Sequence, residues 1–323
     1  MKIPRLFSAL LIVLCMAVQP VFAGQFPERP ITLIMPFGAG NAPDTAARII
    51  GEYLQRKHNI TLLITSKPGG SGIPAMLELS RARPDGYTLS LTSANVLTVV
   101  PQVKPCGFTY KSFTPVAQIT RFTMGWGVLS SSDITSVDDL MQKSKENPKK
   151  YSVGSPGALT AQKFFHSKLM ERFPDSDLPY VAYNGGGELV TALLGGHISV
   201  AYTPVANFRP HGDAIRVIAV SSPQRDPDYP EVPTFAELYG KDLVFDSIYG
   251  IVGPRNIPAD RLRRLEQLFQ EALADPDVQK KMANVFISTS YLPSKEFSEI
   301  LKQYNDFFSQ PIKEYLDAEK ARK

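Results

Sequence analysis

Three glycine-rich turns are the part of this sequence best suited to chemistry. Each follows an apolar run and precedes a helical pattern, and the three are Gly38-Ala39-Gly40-Asn41, Gly154-Ser155-Pro156-Gly157 and Asn184-Gly185-Gly186-Gly187. A turn of this kind presents backbone N–H groups with the positive end of a helix dipole behind them. The residue types therefore point to the binding of an acidic ligand with several carboxylates.

Each turn also has a purely structural interpretation. Glycine is common after a strand because tight turns need a positive φ. Ser93 and Asn95 follow another strand and offer polar groups at the same sheet edge, although ordinary helix capping explains them equally well. Thr160 either caps a helix or contacts a carboxylate, and Tyr183 and Thr203, at strand ends, could simply pack. The convergence of three turns favours the ligand interpretation.

Alternating strand and helix patterns must position these turns. Apolar runs at 31–35, 60–65 and 88–92 are separated by helical patterns at 45–56 and 73–83. A second series has strands at 126–129, 151–154, 178–183, 198–203 and 215–221, with helices between them. This order predicts an α/β protein with parallel sheets covered by helices, in which ligands bind outside the carboxyl ends of the strands.

The chain is expected to cross twice between two lobes. A further strand at 247–252 follows the second series, and amphipathic helices occupy 258–274 and 294–320. We predict lobe 1 from residues 24–122 and 248–323, and lobe 2 from residues 123–247. Crossings near 120–124 and 245–249 would form a two-strand hinge that lets the lobes close around a ligand.

The sequence gives little support for catalysis or for a bound metal. The four histidines lie singly, no H-E-x-x-H or G-x-S-x-G pattern occurs, and the Gly38/Gly40 pair has Pro43 where a dinucleotide motif needs its third glycine. We therefore expect no enzyme activity, no metal and no cofactor.

The first residues predict export. Lys2 and Arg5 precede an apolar stretch too short to span a bilayer, and residues 1–23 fit a cleavable secretory signal peptide. Removal of the signal leaves Cys106 as the one cysteine, which excludes an internal disulfide. The formal net charge of +4 falls by two with the signal, which gives no support for nucleic acid or an anionic membrane as partner.

Motifs along the mature chain resemble the substrate-binding proteins of tripartite tricarboxylate transporters, the Bug family. They are Pro27-Glu28-Arg29-Pro30-Ile31, Pro36-Phe37-Gly38-Ala39-Gly40 with Asp44, Lys67-Pro68-Gly69-Gly70-Ser71-Gly72, Pro84-Asp85-Gly86-Tyr87-Thr88-Leu89, Tyr110-Lys111-Ser112-Phe113-Thr114-Pro115-Val116-Ala117, Val181-Ala182-Tyr183-Asn184-Gly185-Gly186-Gly187, Leu194-Gly195-Gly196-His197-Ile198 and Pro230-Glu231-Val232-Pro233-Thr234 with Glu237.

The resemblance implies a two-lobed periplasmic binding protein of type II-like fold. Such a protein is expected to work as a monomer that holds a mono-, di- or tricarboxylate and delivers it to membrane permease subunits. It implies ligand contacts from the first loop and from loops of lobe 2. Together with the turns, this gives the expected ligand-binding set Phe37, Gly38, Ala39, Gly40, Asn41, Asp44, Ser93, Asn95, Ser155, Gly157, Thr160, Tyr183, Asn184, Gly185, Gly186 and Thr203.

Two departures from the family pattern leave the ligand open. Asn41 stands where the family usually has a second glycine, and Ser66 replaces a usual asparagine. Two other functions also stay open. The first is a periplasmic sensor that presents the bound carboxylate to a two-component system, and the second is an exported enzyme that acts on a carboxylate.

Overall fold

The structure, a computed structural model, describes residues 26–40, 42–157, 160–183 and 186–321. The predicted signal peptide and the candidate residues Asn41, Asn184 and Gly185 lie outside these residues. The strands are β1 Ile31–Met35, β2 Leu62–Ser66, β3 Thr88–Ser93, β4 Phe113–Leu129, β5 Val153–Pro156, β6 Tyr180–Tyr183, β7 Val200–Pro204, β8 Ile215–Val220, β9 Asp246–Pro254 and β10 Thr289–Pro293.

Helices follow most strands, as the alternating pattern predicts. They are α1 Ala42–His58, α2 Ile73–Arg81, α3 Ala94–Thr98, α4 Val100–Val103, α5 Val137–Glu146, α6 Ala161–Met170, α7 Gly186–Leu194, α8 Phe235–Tyr239, α9 Ala259–Ala274, α10 Pro276–Ala283 and α11 Ser294–Ala321. Short 3-10 turns cover Gly70–Gly72, Tyr110–Ser112, Val205–Asn207 and Arg209–Ala214. No helix of the described residues is long and apolar enough to cross a membrane.

Two sheets share strand β4. Sheet A has the order β2-β1-β3-β9-β4 with β10 on the far side of β4, and sheet B joins β4 to β8 and to β7-β5-β6. Strands β2-β1-β3 and strands β7-β5-β6 are parallel, as expected. Strand β9 runs antiparallel to β3 and β4, and β4 runs antiparallel to β7, β8 and β10. We use lobe 1 for sheet A with its helices and lobe 2 for sheet B with its helices.

The prediction of a two-lobed α/β fold is confirmed, but the pattern missed several elements. Only the last residues of β4 were predicted, because Thr114, Gln118 and Arg121 interrupt the apolar pattern in its first half. The short elements α10 and β10 were not predicted either. Each is too short to show a clear periodicity.

Each sheet is buried between two layers of side chains. Along β1, Ile31, Leu33 and Met35 face the core beneath α1 and α9, whereas Ile34 faces the opposite core beneath α2. This alternation follows from the two-residue period of a strand. Lobe 2 repeats the arrangement around Trp126, which is fully buried against Phe235 and His166. Trp126 is therefore a core residue of lobe 2.

Helix α11 packs against both lobes. Phe297 and Leu301 belong to a core of lobe 1, and Phe308 and Ile312 belong to a core of lobe 2. Between these pairs, the Tyr304 hydroxyl donates a hydrogen bond to the carbonyl oxygen of Asp246 at 2.6 Å and accepts one from its N–H at 3.1 Å. Helix α11 therefore holds the backbone of Asp246 in place, where the chain returns from lobe 2 to lobe 1.

A buried carboxyl group lies at this crossing. The Asp246 residue is 2% exposed, its Oδ2 atom lies 3.5 Å from Arg121 Nε, and its Oδ1 atom has no hydrogen-bond partner among the described residues. Burial raises the pKa of Asp246 to about 7; Arg121 offsets part of this effect and Asp226 adds to it. The folded protein therefore holds a proton here that the unfolded chain releases near pH 4.

We predict that Asp246→Asn stabilises the protein more at pH 8 than at pH 5. Between these values the folded state binds more protons than the unfolded state, so the free energy of unfolding of the parent falls as pH rises. The gain of the variant should increase by on the order of 2 kcal/mol across this range. Urea unfolding at both pH values measures it, with the exposed Asp317→Asn as control. An equal difference at pH 5 and pH 8 would contradict the prediction.

Candidate functional site

A cleft of about 810 Å³ lies between the two lobes. Its floor is formed by the crossing strands, which contribute Phe122 and Met124 from β4 and Ser247 and Tyr249 from β9. The remaining lining residues come from loops and helix starts on both sides: Phe37, Gly40, Ala42, Pro43, Pro156, Gln162, Gly186, Gly187, Val190, Thr191, Thr203, Pro204, Ala206, Asn207, Pro210, His211, Val285 and Phe286. This volume suits a small organic molecule.

The face from lobe 1 is aromatic. Phe37, directly after β1, packs edge-on against Tyr249 with ring centroids 5.6 Å apart, and Phe122 packs on the same tyrosine at 5.5 Å. Edge-to-face pairs of this kind are the favoured arrangement of aromatic rings. Burial raises the pKa of Tyr249, so its hydroxyl stays neutral at physiological pH. This face offers mainly apolar surface to a ligand.

The face from lobe 2 carries polar groups among apolar residues. Thr203, at the end of β7, is fully buried, and its Oγ1 atom accepts a hydrogen bond from Asn207 Nδ2 at 2.8 Å. A Cβ atom on Gly186 would lie 2.9 Å from Asn207 Nδ2, so glycine permits this close approach. Gly186 and Gly187 open helix α7, whose first N–H groups have no acceptor within the helix.

The electrostatics of the cleft come from dipoles rather than ions. None of the described lining residues is Lys, Arg, Asp or Glu. Hydroxyl, amide and backbone N–H groups are present instead, beside the positive end of the α7 dipole. His211 contributes an imidazole. The described part of the cleft can therefore hold an anion through hydrogen bonds without a permanent cationic partner.

The first glycine turn brings Phe37 and Gly40 to the cleft, but Gly38, Ala39 and Asp44 do not line it. The Asp44 carboxylate instead accepts hydrogen bonds from the Gly40 N–H at 2.9 Å and from Arg48 Nε at 3.0 Å. Burial opposes ionisation of Asp44, but the bonds from Arg48 and Gly40 outweigh it and hold its pKa below the usual range. Asp44 thus fixes the shape of the turn.

Of the residues of the second turn, only Pro156 lines the cleft. Ser155 is fully buried, and the Tyr180 hydroxyl donates to the Gly157 carbonyl at 3.0 Å and lies 3.3 Å from Thr160 Oγ1. Tyr180 was not among the expected residues. These polar groups organise the turn, and ligand contact by Ser155, Gly157 and Thr160 stays a prediction.

Two of the expected residues after β3 have partners within the protein. The Ser93 hydroxyl caps α3 by accepting a hydrogen bond from the Val96 N–H at 3.3 Å. Asn95 reaches the other lobe, where its Oδ1 atom accepts a hydrogen bond from the Ala161 N–H at 2.9 Å. The Thr160 side chain makes no cap bond for α6, so Asn95 caps this helix across the cleft.

The third turn contributes Gly186 to the cleft, beside Thr203 from the next strand. Tyr183 packs instead at the edge of a lobe 2 core. Four expected residues, Phe37, Gly40, Gly186 and Thr203, are thus brought together.

Sequence reasoning missed several lining residues, above all Phe122, Tyr249, Asn207, His211 and Phe286. The predicted hinge crossings near 120–124 and 245–249 contain the first two, and this was the one signal that could have found them. Nothing local marks Asn207 or Phe286, since both reach the cleft from loops distant in sequence from the glycine turns.

Two sheets that share crossing strands, with a cleft between them, define a two-lobed solute-binding fold. The family model of the tripartite tricarboxylate transporter family receptor matches residues 46–312. The chain belongs to this family. The prediction made from the motifs is thereby confirmed.

Known relatives agree over most of the chain. A Cupriavidus necator protein, "UPF0065 protein in gbd 5'region", is 28% identical over 279 residues, which is 86% of this chain and 84% of that protein. Protein BugT of Bordetella pertussis is 25% identical over 269 residues, which is 82% of each protein.

Solved structures have the same fold. One described as a periplasmic transporter superimposes with a TM-score of 0.78 at 26% identity, covering 89% of this chain and 97% of that one. MatC from Rhodopseudomonas palustris, solved with bound malate, has a TM-score of 0.74 at 20% identity and covers 89% of this chain and 100% of its own.

We predict that Asn95→Ala destabilises the protein by about 1 kcal/mol, because α6 loses its cap and the lobes lose a hydrogen bond. Asn95→Asp is the matched control, since it keeps an oxygen acceptor at the positive end of the helix. Urea unfolding of the three proteins measures the difference. If Asn95→Ala is as stable as the parent, the contact between Asn95 and Ala161 contributes nothing to folding.

Proposed function

We propose that this protein captures a small organic carboxylate in the periplasm and delivers it to the membrane permease of a tripartite tricarboxylate-type transporter. One observation carries the proposal: the cleft between the lobes places Thr203, Asn207 and the start of α7 around one space, and no described lining residue is Lys, Arg, Asp or Glu. The malate bound to MatC supports a carboxylate as the ligand.

Hydrogen bonds can hold the carboxylate in this cleft. Its oxygens would accept from the N–H groups that open α7 and from the polar side chains of Thr203 and Asn207. Closure of the lobes would remove water, and a lower local dielectric strengthens each of these interactions. The ligand is thereby held reversibly, as a carrier requires.

The same groups favour binding over reaction. The Thr203 hydroxyl accepts from the Asn207 amide, which cannot act as a base, so the contact does not activate a nucleophile. The described residues contain no group of three or more His, Cys, Asp or Glu side chains that could hold a metal ion. We propose a carrier without enzyme activity.

Export and lobe closure complete the proposal. Residues 1–23 would direct the chain to the periplasm and be removed.

Lobe 1 from residues 24–122 and 248–323 would close on lobe 2 from residues 123–247 by bending at the crossings of β4 and β9. Because α11 packs against both cores, its second half would have to bend or slide with lobe 2 during closure.

We predict that the mature protein binds at least one acid of a mono- to tricarboxylate panel and releases it unchanged, and that Gly186→Asp weakens this binding by more than about tenfold. The new carboxylate would place negative charge at the start of α7, and its Cβ atom would displace Asn207. Isothermal titration calorimetry measures affinity, a rise in melting temperature gives independent support, and chromatography of the recovered acid tests for turnover.

Gln142→Glu, which adds an acid to the exposed face of α5, is the control and should bind like the parent. Binding by a folded Gly186→Asp protein at parental affinity would remove the start of α7 from the site.

A deletion strain separates transport from sensing. Loss of uptake supports the carrier, whereas normal uptake with lost induction of acid-responsive genes supports the sensor.

A further inference from the structure

We infer that the ligand is an acid with one carboxylate and an aromatic or bulky apolar body, rather than a di- or tricarboxylate. The inference rests on the proposed function and concerns the same cleft. Its basis is the position of two kinds of group: Thr203, Asn207 and the start of α7 lie on lobe 2 among apolar residues, and the rings of Phe37, Phe122 and Tyr249 lie on lobe 1 or on the crossing strands. A ligand that satisfies both faces needs one polar end and one apolar end.

A loop at the edge of the cleft extends the apolar face. Val285 and Phe286, between α10 and β10, line the cleft although they are 44% and 43% exposed. The Phe286 ring lies 5.4 Å from the guanidinium carbon of Arg209, which belongs to lobe 2. Phe286 thus reaches from lobe 1 to lobe 2 across the edge of the cavity.

The backbone of Phe286 ends α10 in the left-handed region, with a φ of +59°. The Phe286 N–H donates to the Ala283 carbonyl at 3.0 Å and the Ile287 N–H donates to the Met282 carbonyl at 2.9 Å, which are the two bonds of a helix C-cap with a left-handed residue. Glycine is the usual residue at this position of the cap, so the cap itself does not require an aromatic ring here. Contact with an apolar ligand body would bury this exposed ring.

A second carboxylate would find no lysine or arginine among the described lining residues, although His211 offers an imidazole. Arg209 forms an ion pair with Asp228, and neither Arg209 nor Arg121 lines the cleft. The residues of the cleft turns that lie outside the described ranges, Asn41, Asn184 and Gly185, are uncharged by type. One carboxylate can use the α7 dipole and neutral donors, but a buried second charge without a partner is costly.

The test compares phenylacetate, malate, citrate and propionate by isothermal titration calorimetry with the mature protein. We expect phenylacetate to bind at least about tenfold more tightly than malate or citrate. Phe286→Ala should weaken phenylacetate binding by about three- to tenfold and change propionate binding by less than about twofold, because propionate lacks the ring. Leu63→Ala, which removes an exposed apolar side chain from β2, is the matched control.

Tighter binding of malate or citrate than of phenylacetate would overturn the inference and leave the proposed function intact. Equal loss of phenylacetate and propionate in Phe286→Ala would also overturn it, since the ring would then not recognise the ligand body. If none of the four acids binds to the folded parent protein, the inference fails; the wider panel then decides whether carboxylate capture fails with it.

Discussion

The antiparallel pair of β4 and β9 is the constraint on which the rest of the structure depends. These strands belong to the sheet of lobe 1 along most of their length, and β4 continues into the sheet of lobe 2. The same strands form the floor of the cleft through Phe122 and Tyr249. Any movement of one lobe against the other would therefore change the backbone that lines the cleft.

The crossing is held by buried polar groups as well as by the sheet. Ser221 accepts a hydrogen bond from the Tyr202 hydroxyl at 3.0 Å and donates to the Phe245 carbonyl at 2.6 Å, which joins a lobe 2 strand to the returning chain. Tyr304 holds Asp246 from the side of α11. A buried polar network of this kind is worth most when every member is satisfied. Asp246 Oδ1, which has no hydrogen-bond partner in the part of the chain that the structure describes, is the place where this network costs stability.

The two faces of the cleft offer different interactions to the proposed ligand. Dipoles and neutral hydrogen-bond donors on lobe 2 suit a carboxylate, and they avoid the desolvation penalty that a buried lysine or arginine would carry. The aromatic face supplies non-directional burial, whose free energy grows with the apolar area of the ligand. Under the proposed function, affinity and choice of ligand would come from different lobes, and both faces would act together only when the lobes are close.

The sequence by itself determined the family, the alternation of strands and helices, and the turns that begin α1 and α7. These features are local, because strand and helix periods and glycine turns appear in consecutive residues. The order of residues was therefore enough to propose Phe37, Gly40, Gly186 and Thr203 as neighbours. The tertiary structure alone decided what faces the cleft from further away. Tyr249 reaches it through the register of β9 on β4, and Phe286 through a loop far along the chain. Asn95 caps a helix of the opposite lobe, and its contact with a ligand stays a prediction. The order of residues did not contain this partner, because hydrogen-bond partners depend on distance in space.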